Sequence, residues 1–483
     1  MTTQQIKLGQ DDVLVKEDYF NFVKKKLSMR ALIFFCLLSQ IPLAFSQSDS
    51  TIIRNIYNEA LSHGNSHQDL RSLCKDIGAR ISGSAEAAMA VEWGKQKMEG
   101  YSFDKVYLQE IQVPHWERGT KEAGWIKLEN GSLSKVNLLA LGGSIGTDGI
   151  LEGEIIEFQS LEALKNLKSD ETTKGKIVFI NQPMDEQQIN TFKAYGGCWP
   201  MRGLGAIEAA NVGAKAVLIR SLGLPVDEHP HTGGMYYVDS VQKIPAAALS
   251  TLDADRLSKI LEVQKAKFVL EMDCRDFPDE TSYNVIGEMI GSENPDNIIT
   301  FGGHLDSWDT GEGAHDDGAG IIHCLEALRI LKIIDYKPKN TLRLVFFMNE
   351  ENGNRGGKTY ATWAKEQKHE NHIAAVESDR GGFAPRGFSC DGSDIHIELL
   401  KSFEAKLTQY DLHVFEKGYG GVDINPLKEQ FEGIPLFGFI PDSQRYFDFH
   451  HAPSDVFENV NKRELELGCA AIASFLYLLD QNL

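Results

Sequence analysis

The sequence predicts an α/β fold built on a mostly parallel, doubly wound sheet, with a β-rich module inserted ahead of that sheet. Two observations carry the prediction. From Thr281 onward, short apolar runs ("NIITFGG", "TLRLVFFMNEE", "HIAAVESD", "IPLFGFI") alternate with helix-length stretches ("GAGIIHCLEALRILKII", "GGKTYATWAKEQK", "SDIHIELLKSFEAKLTQY", "KRELELGCAAIASFLYLLD"). Strands that alternate with helices favour parallel pairing with both faces of the sheet covered. From about Gly119 to Cys274 the texture changes, and strand-like runs such as "GILEGEIIEF", "GKIVFI" and "AKAVLIRS" are separated by polar, turn-rich segments.

Taken in order, residues 1–46 read as an export signal. Lys24 to Lys26 and Arg30 precede an apolar run from Ala31 to Leu38 that extends toward Phe45, and Ala44 and Ser46 supply the small residues of a cleavage site. Met29 opens a conventional signal and is the expected true start. The apolar run is shorter than the ~20 residues of a membrane span, and Gln40 and Pro42 interrupt it. Residues 47–118 are expected to form the N-terminal part of the α/β domain. Within them, "STIIRNIYNEAL" and "GSAEAAMAVEWGKQKMEG" carry apolar residues at helical spacing, and "FDKVYLQEIQV" alternates as a strand. Residues 119–275 are the inserted module, which adds a helix in "GLGAIEAANVG" and a strand and helix in "IPAAALSTLDADRLSKIL". Asp227, His229 and His231 lie in a Gly/Pro-rich loop of this module and form no catalytic pattern. Residues 276–483 are expected to carry the rest of the α/β domain.

Composition narrows the function classes. Hydrophobic content of 42% and charged content of 24% suit a globular chain with a real core. A formal net charge of −20 leaves no basic excess, which argues against nucleic acid or an anionic membrane surface as the main partner. The cysteines beyond the signal (Cys74, Cys198, Cys274, Cys324, Cys390, Cys469) have no C-x-x-C spacing, which excludes a cysteine zinc ribbon. Disulfides and buried thiols both remain open from spacing alone.

The chemistry collects at strand ends. His304 and Asp306 follow "NIITF", Glu350 and Glu351 follow "LRLVFFMN", and Asp379 follows "HIAAVES". His451 follows "GIPLFGFI" through the aromatic loop "RYFDFHH". Asp316 opens the "DDGAG" helix, where Gly318 and Gly320 let backbone approach closely. In open α/β sheets ligands bind beyond the carboxyl ends of the strands. Each feature alone has a bland reading as a capped turn, a helix N-cap or a solvated loop. Their conjunction on one edge, in the order His, Asp, Glu-Glu, Asp, His, singles out a metal site, and imidazole with carboxylate suits zinc.

These motifs ("GGHLDSWD", "DDGAG", "NEE", "ESD" and "FHH…D") resemble those of the co-catalytic two-zinc exopeptidases, the family of aminopeptidases and glutamate carboxypeptidases, and most of all its carboxypeptidase Q branch. "KGKIVFI", "GAIEAANVGAKAVLIRS" and "IPAAALSTLDADRL" resemble a protease-associated domain. The resemblance implies a zinc exopeptidase fold and two Zn2+ per chain. It implies that Asp316 bridges the ions, that His304 and Asp379 complete one site, and that Glu351 and His451 complete the other. It makes Glu350 the general base. Asp306 and Asp455 are then expected to orient the imidazoles of His304 and His451. The spacing of the His450–His451 pair does not decide between them; the family pattern of a histidine four residues before an Asp selects His451. Arg380 and Tyr446 are candidates for contact with a substrate carboxylate and with the oxyanion. Trp308 is expected to pack rather than bind, and Gly418 to Asp423 to form a mobile substrate loop. The implied substrates are dipeptides or short peptides with a free terminus, and a homodimer is implied too. The aminopeptidase branch shares every expected ligand, so the terminus recognised stays open. A glutaminyl-cyclase-like transferase with one zinc, or a receptor-type binding protein, is the alternative class; the full ligand set and Glu350 argue against both.

Overall fold

The computed structural model describes residues 48–167 and 170–483. The expected export signal over residues 1–46 therefore lies outside the described residues. Ile52 to Leu483 form one compact unit. No described helix is long and apolar enough to cross a membrane.

Sixteen strands are described. They are β1 (Lys105–Glu117), β2 (Glu122–Leu128), β3 (Leu133–Val136), β4 (Leu138–Ala140), β5 (Leu151–Phe158), β6 (Ile177–Ile180), β7 (Ala216–Arg220) and β8 (Ala246–Leu249). The remainder are β9 (Ala266–Met272), β10 (Arg275–Met289), β11 (Asn294–His304), β12 (Asn340–Phe347), β13 (Asn371–Glu377), β14 (Pro385–Asp391), β15 (Val414–Lys417) and β16 (Leu436–Pro441). They form two eight-stranded sheets, ordered β1-β10-β12-β11-β13-β16-β14-β15 and β3-β2-β9-β5-β6-β7-β8-β4.

The first sheet is mixed. Its centre, β12-β11-β13-β16, is parallel as expected, and the edge pair β14-β15 is also parallel, but β1-β10, β10-β12 and β14-β16 pair antiparallel. The difference has a physical source in β10. That strand leaves the second sheet directly after β9 and runs back along β1, and its first half is solvent-exposed. A strand exposed over half its length has no continuous apolar run, so "RDFPDETSYNVIGEM" gives no buried-strand signal.

Both faces of this sheet are covered. Along β12, Leu342, Leu344 and Phe346 enter one core with the helices Ala319–Ile333 and Lys462–Asn482. Val345 and Phe347 enter the opposite core with Tyr360, Ala361 and Ala364 of the helix Arg355–Glu366. That alternation is the period of two a strand imposes. The helix Ala319–Ile333 is buried from Ala319 to Leu331, which explains its largely apolar sequence, and its buried Glu326 and Arg329 pair with each other at 2.7 Å.

The second sheet lies wholly between β1 and β10 in the chain. Its parallel run β5-β6-β7-β8 is backed by the helix Thr191–Asn211. This helix starts well before the "GLGAIEAANVG" stretch, because Gly196, Gly197 and Pro200 mask its first half in the sequence. Asn190 caps it by accepting the N–H of Lys193.

Candidate metal centre

Four strand ends and one turn converge. β11 ends at His304, β12 leads into the Asn349–Glu351 turn, and β13 leads into Asp379. β16 leads through the short helix Tyr446–Phe449 to His450 and His451, and the turn before the helix Ala319–Ile333 carries Asp316.

Asp316 sits at the middle. Its Oδ1 is 3.2 Å from Nε2 of His304, which also lies 3.5 Å from Oδ1 of Asp379. Its Oδ2 is 3.3 Å from Nε2 of His451, which also lies 3.0 Å from Oε2 of Glu351. One carboxylate thus offers one oxygen to each of two imidazole–carboxylate pairs. In one cluster the donor atoms of His304, Asp316 and Asp379 lie within 4.8 Å of one another; in a second, those of Asp316, His450 and His451 do so. His450, which spacing alone leaves level with His451, also stands at this cluster. Its ring stacks on that of His451 with centroids 3.5 Å apart, and its Nε2 is 3.7 Å from Asp316 Oδ2.

The residues fit a cation. Asp316 Oδ2, Glu351 Oε1 and Asp379 Oδ1 are buried and make no well-formed hydrogen bond. Carboxylates removed from water without partners are costly, and a bound metal satisfies them. Electrostatics run the same way. Burial alone would lower the His304 imidazole, but Asp379 and Asp316 outweigh it and hold it well above its ordinary value. Burial alone would raise Asp316, yet His304 and His451 hold it well below the usual carboxylate range. Burial pushes the Glu350 carboxyl well up, and Asp379 and Glu351 push the same way.

The supporting contacts refine one expectation and correct another. Asp306 orients His304 through its backbone carbonyl, which accepts from His304 Nδ1 at 2.9 Å, while its carboxylate Oδ1 lies 3.9 Å from that nitrogen. The Asp306 carboxylate instead accepts the backbone N–H groups of Asn349 (2.7 Å), Glu350 (3.1 Å) and Glu351 (3.4 Å), fixing the turn that presents both glutamates. Asp455 likewise accepts the backbone N–H groups of His315 (2.7 Å) and Asp316 (3.1 Å), so it holds the Asp316 turn and not His451. Burial raises its carboxyl to about 7. Gly320 is required by space: a Cβ there would overlap the Ser378 carbonyl and the Asp317 carboxylate. His451 itself adopts φ 61°, a left-handed conformation seldom seen outside glycine and typical of functional sites.

A cleft of about 730 Å³ opens onto this centre. Glu350, Asp379, Arg380 and Tyr446 line it. Arg380 places its guanidinium 5.4 Å from the Phe192 ring centre and donates to the Tyr419 carbonyl at 3.4 Å. Trp308 packs as expected, edge-on to His451 at 5.7 Å. The Gly418–Asp423 segment, expected to be mobile, is tied at several points. Its Val422 N–H and the Ile424 N–H just beyond it donate to Glu377, Asn354 Nδ2 donates to the Val422 carbonyl, and Ser389 Oγ donates to the Tyr419 carbonyl. The six described cysteines are buried free thiols.

Sequence reasoning missed a second wall of the cleft, which comes from the inserted segment. Phe192, Tyr195, Trp199 and Arg202 all lie on the helix Thr191–Asn211. Arg202 Nη1 donates to His451 Nδ1 at 3.2 Å, and Nη2 donates to the Tyr195 hydroxyl at 2.6 Å. His231, dismissed for want of a partner, donates from Nδ1 to the His450 carbonyl at 2.7 Å, and burial pushes its pKa down to about 3. No local pattern announces these contacts, because the partners are about 220 to 250 residues apart.

Residues 284–476 match the model of peptidase family M28. Carboxypeptidase Q of Bos taurus is 34% identical over 433 residues, covering 89% of this chain and 88% of that protein. The crystal structure of a peptidase M28 precursor from Shewanella amazonensis superposes with a TM-score of 0.84 at 31% identity, covering 89% of this chain and 96% of that one. A zinc aminopeptidase from Bacillus subtilis shares the fold, with a TM-score of 0.60 at 22% identity, over 86% of this chain and 93% of that one. The sheet, its strand-end donors and these matches define a metallopeptidase. More narrowly, the chain belongs to the carboxypeptidase Q family of M28 peptidases.

Proposed function

We propose that this chain is an exported, zinc-dependent exopeptidase that hydrolyses dipeptides or short peptides with a free terminus. The observation that carries the reading is Asp316, whose two oxygens each face an imidazole that also faces a second carboxylate. His304, Asp316 and Asp379 would hold one Zn2+, and Asp316, Glu351 and His451 the other. Zinc held there supplies Lewis acidity to the peptide carbonyl and the attacking water. Glu350, at the edge of the cleft, takes the proton from that water and returns it to the leaving amine. Asp306 holds the backbone of Glu350 and Glu351, so base and ligand move as one unit. Tyr446 lies on the same wall, suited to donate to the developing oxyanion. Arg380 supplies a cation for a substrate carboxylate, and the rings of Phe192, Tyr195 and Trp199 shelter side chains from water.

Residues 119–275 are proposed to be a protease-associated domain that walls the cleft, between the catalytic segments 47–118 and 276–483. Export rests on the charged, apolar and small-residue layout of residues 1–46, and a homodimer on the family resemblance.

Zinc content per chain, measured for wild type and Glu350→Gln beside hydrolysis of free, N-blocked and C-blocked dipeptides, tests the reading. Two zinc ions in both proteins with turnover only in wild type supports it, and the blocked substrates separate carboxypeptidase from aminopeptidase action. No zinc and no turnover in freshly metallated wild type refutes it.

A further inference from the structure

Glu377 lies at the end of β13, two residues before Asp379, and is 2% exposed. The metal centre makes no use of it. Its Oε1 accepts the Val422 N–H at 2.7 Å and its Oε2 accepts the Ile424 N–H at 3.0 Å. Gly421 sits directly against this carboxylate. A Cβ on Gly421 would overlap the Glu377 carboxylate, and the three nearest atoms it would meet all belong to Glu377. Gly421 does not adopt the left-handed backbone that itself favours glycine, so the constraint at this position is space. The carboxylate cannot swing aside freely, because both oxygens are occupied and the side chain is buried. The segment it holds, Tyr419 to Val422, lines the cleft.

We infer that Glu377 is a positioning residue for substrate: its carboxylate pins Tyr419–Val422 as a fixed cleft wall. Because Glu377 and Asp379 leave the same strand end, the clamp also sets the distance between that wall and the metal centre. The consequence for substrate rests on the exopeptidase reading; the clamp itself does not.

The test is a double-mutant cycle. Amide hydrogen exchange over residues 418–426 is measured in wild type, Glu377→Ala, Glu377→Gln, Gly421→Ala and the Glu377→Ala/Gly421→Ala pair, with KM and kcat on a free dipeptide beside it. Losing a buried acceptor speeds exchange of the Val422 and Ile424 amides about ten- to hundredfold in Glu377→Ala. Gly421→Ala does the same by displacing the carboxylate. KM rises about tenfold in each, with kcat changed less, as expected when a binding surface is loosened. The pair matches Glu377→Ala alone, because the atoms that the new methyl would meet are gone. Glu377→Gln, which keeps an acceptor for one N–H, recovers part of the protection. Gly420→Ala is the control: its Cβ would meet Leu436, so it stays harmful on the Glu377→Ala background. Gly421→Ala being as harmful on Glu377→Ala as on wild type overturns the clamp, and so does unchanged exchange in Glu377→Ala and Glu377→Gln. Exchange reads out without turnover, so a wild type that cleaves no dipeptide removes the exopeptidase reading and leaves the clamp to be decided by exchange.

Discussion

Removing the Asp306 carboxylate probes how the base and one candidate ligand are held together. This side chain is fully buried, and its two oxygens accept three backbone N–H groups, from Asn349, Glu350 and Glu351, at 2.7, 3.1 and 3.4 Å. In Asp306→Ala three buried donors lose their acceptor at once. A hydrogen bond to a charged group contributes about 1.5–3 kcal/mol, and the third contact is long. The expected loss is therefore about 3–5 kcal/mol, at the upper end for a single substitution. Asp306→Asn keeps one oxygen, which serves Asn349 and Glu350, and turns an NH2 toward the Glu351 N–H; its cost is about 1–2 kcal/mol. Function falls further than stability, because Glu350 and Glu351 both sit on the released turn. Disturbing a support of a metal ligand weakens metal affinity about 10- to 100-fold. The assay is zinc affinity by chelator competition, urea unfolding of the zinc-loaded protein, and kcat on a free dipeptide, for wild type, Asp306→Asn and Asp306→Ala. Wild-type zinc affinity and kcat in Asp306→Ala would show that the turn holds its shape without this carboxylate, and the reasoning would fail.

Three further outcomes follow from particular contacts. Glu350→Gln should lower kcat about 10²- to 10⁴-fold with zinc content unchanged, measured by single-turnover kinetics and metal analysis, since it removes proton transfer and no expected ligand. Gly320→Ala should cost more than about 3 kcal/mol in urea unfolding, because the new methyl meets the Ser378 carbonyl, a backbone atom with nowhere to go. His372 is 4% exposed, and burial, with the Arg343 charge adding to it, pushes its pKa down to about 3. Between that value and the unfolded ~6.5 the unfolded chain binds the extra proton, so the stability from this residue is complete above ~6.5 and falls with pH. Wild type should lose about 2 kcal/mol more than His372→Gln between pH 8 and pH 5, read from urea midpoints; parallel pH profiles would refute it.

What could be read ahead of the structure divides by range. β12 is buried throughout, and β11 from Ile298 onward, most of β13 and most of β16 are buried beside it in the parallel centre, so their apolar runs stand out, and the donors at their ends could be located by counting residues. β15 is a four-residue edge strand, β10 is half exposed, and β14 is broken in the sequence by Arg386, Gly387 and Ser389, so no apolar run marks them. The observed role of Asp455, and the further use of the Asp306 carboxylate, escaped the sequence for a related reason. Spacing places a carboxylate near a histidine, but whether its oxygens meet an imidazole or a backbone N–H depends on a turn of the chain that spacing does not encode.

The inserted segment makes the same point at larger scale. The helix Thr191–Asn211 joins the metal-centre environment only because two sheets meet, and its contribution is invisible along the chain. Arg202 reaches the edge of His451 that faces away from Asp316, and the Thr232 N–H donates to the His451 carbonyl at 3.0 Å. Gly233 lies between them, where a Cβ would overlap both the Arg202 guanidinium and the His451 ring. His451 is thus gripped on its carboxylate side by the strand ends of one sheet and on its far side by the other. A histidine in a left-handed backbone conformation needs such support, since that conformation costs about 1–3 kcal/mol by itself. The inserted sheet is therefore part of the site's architecture. An excised catalytic sheet would lack not only a cleft wall but the contacts that hold one of its candidate ligands in place.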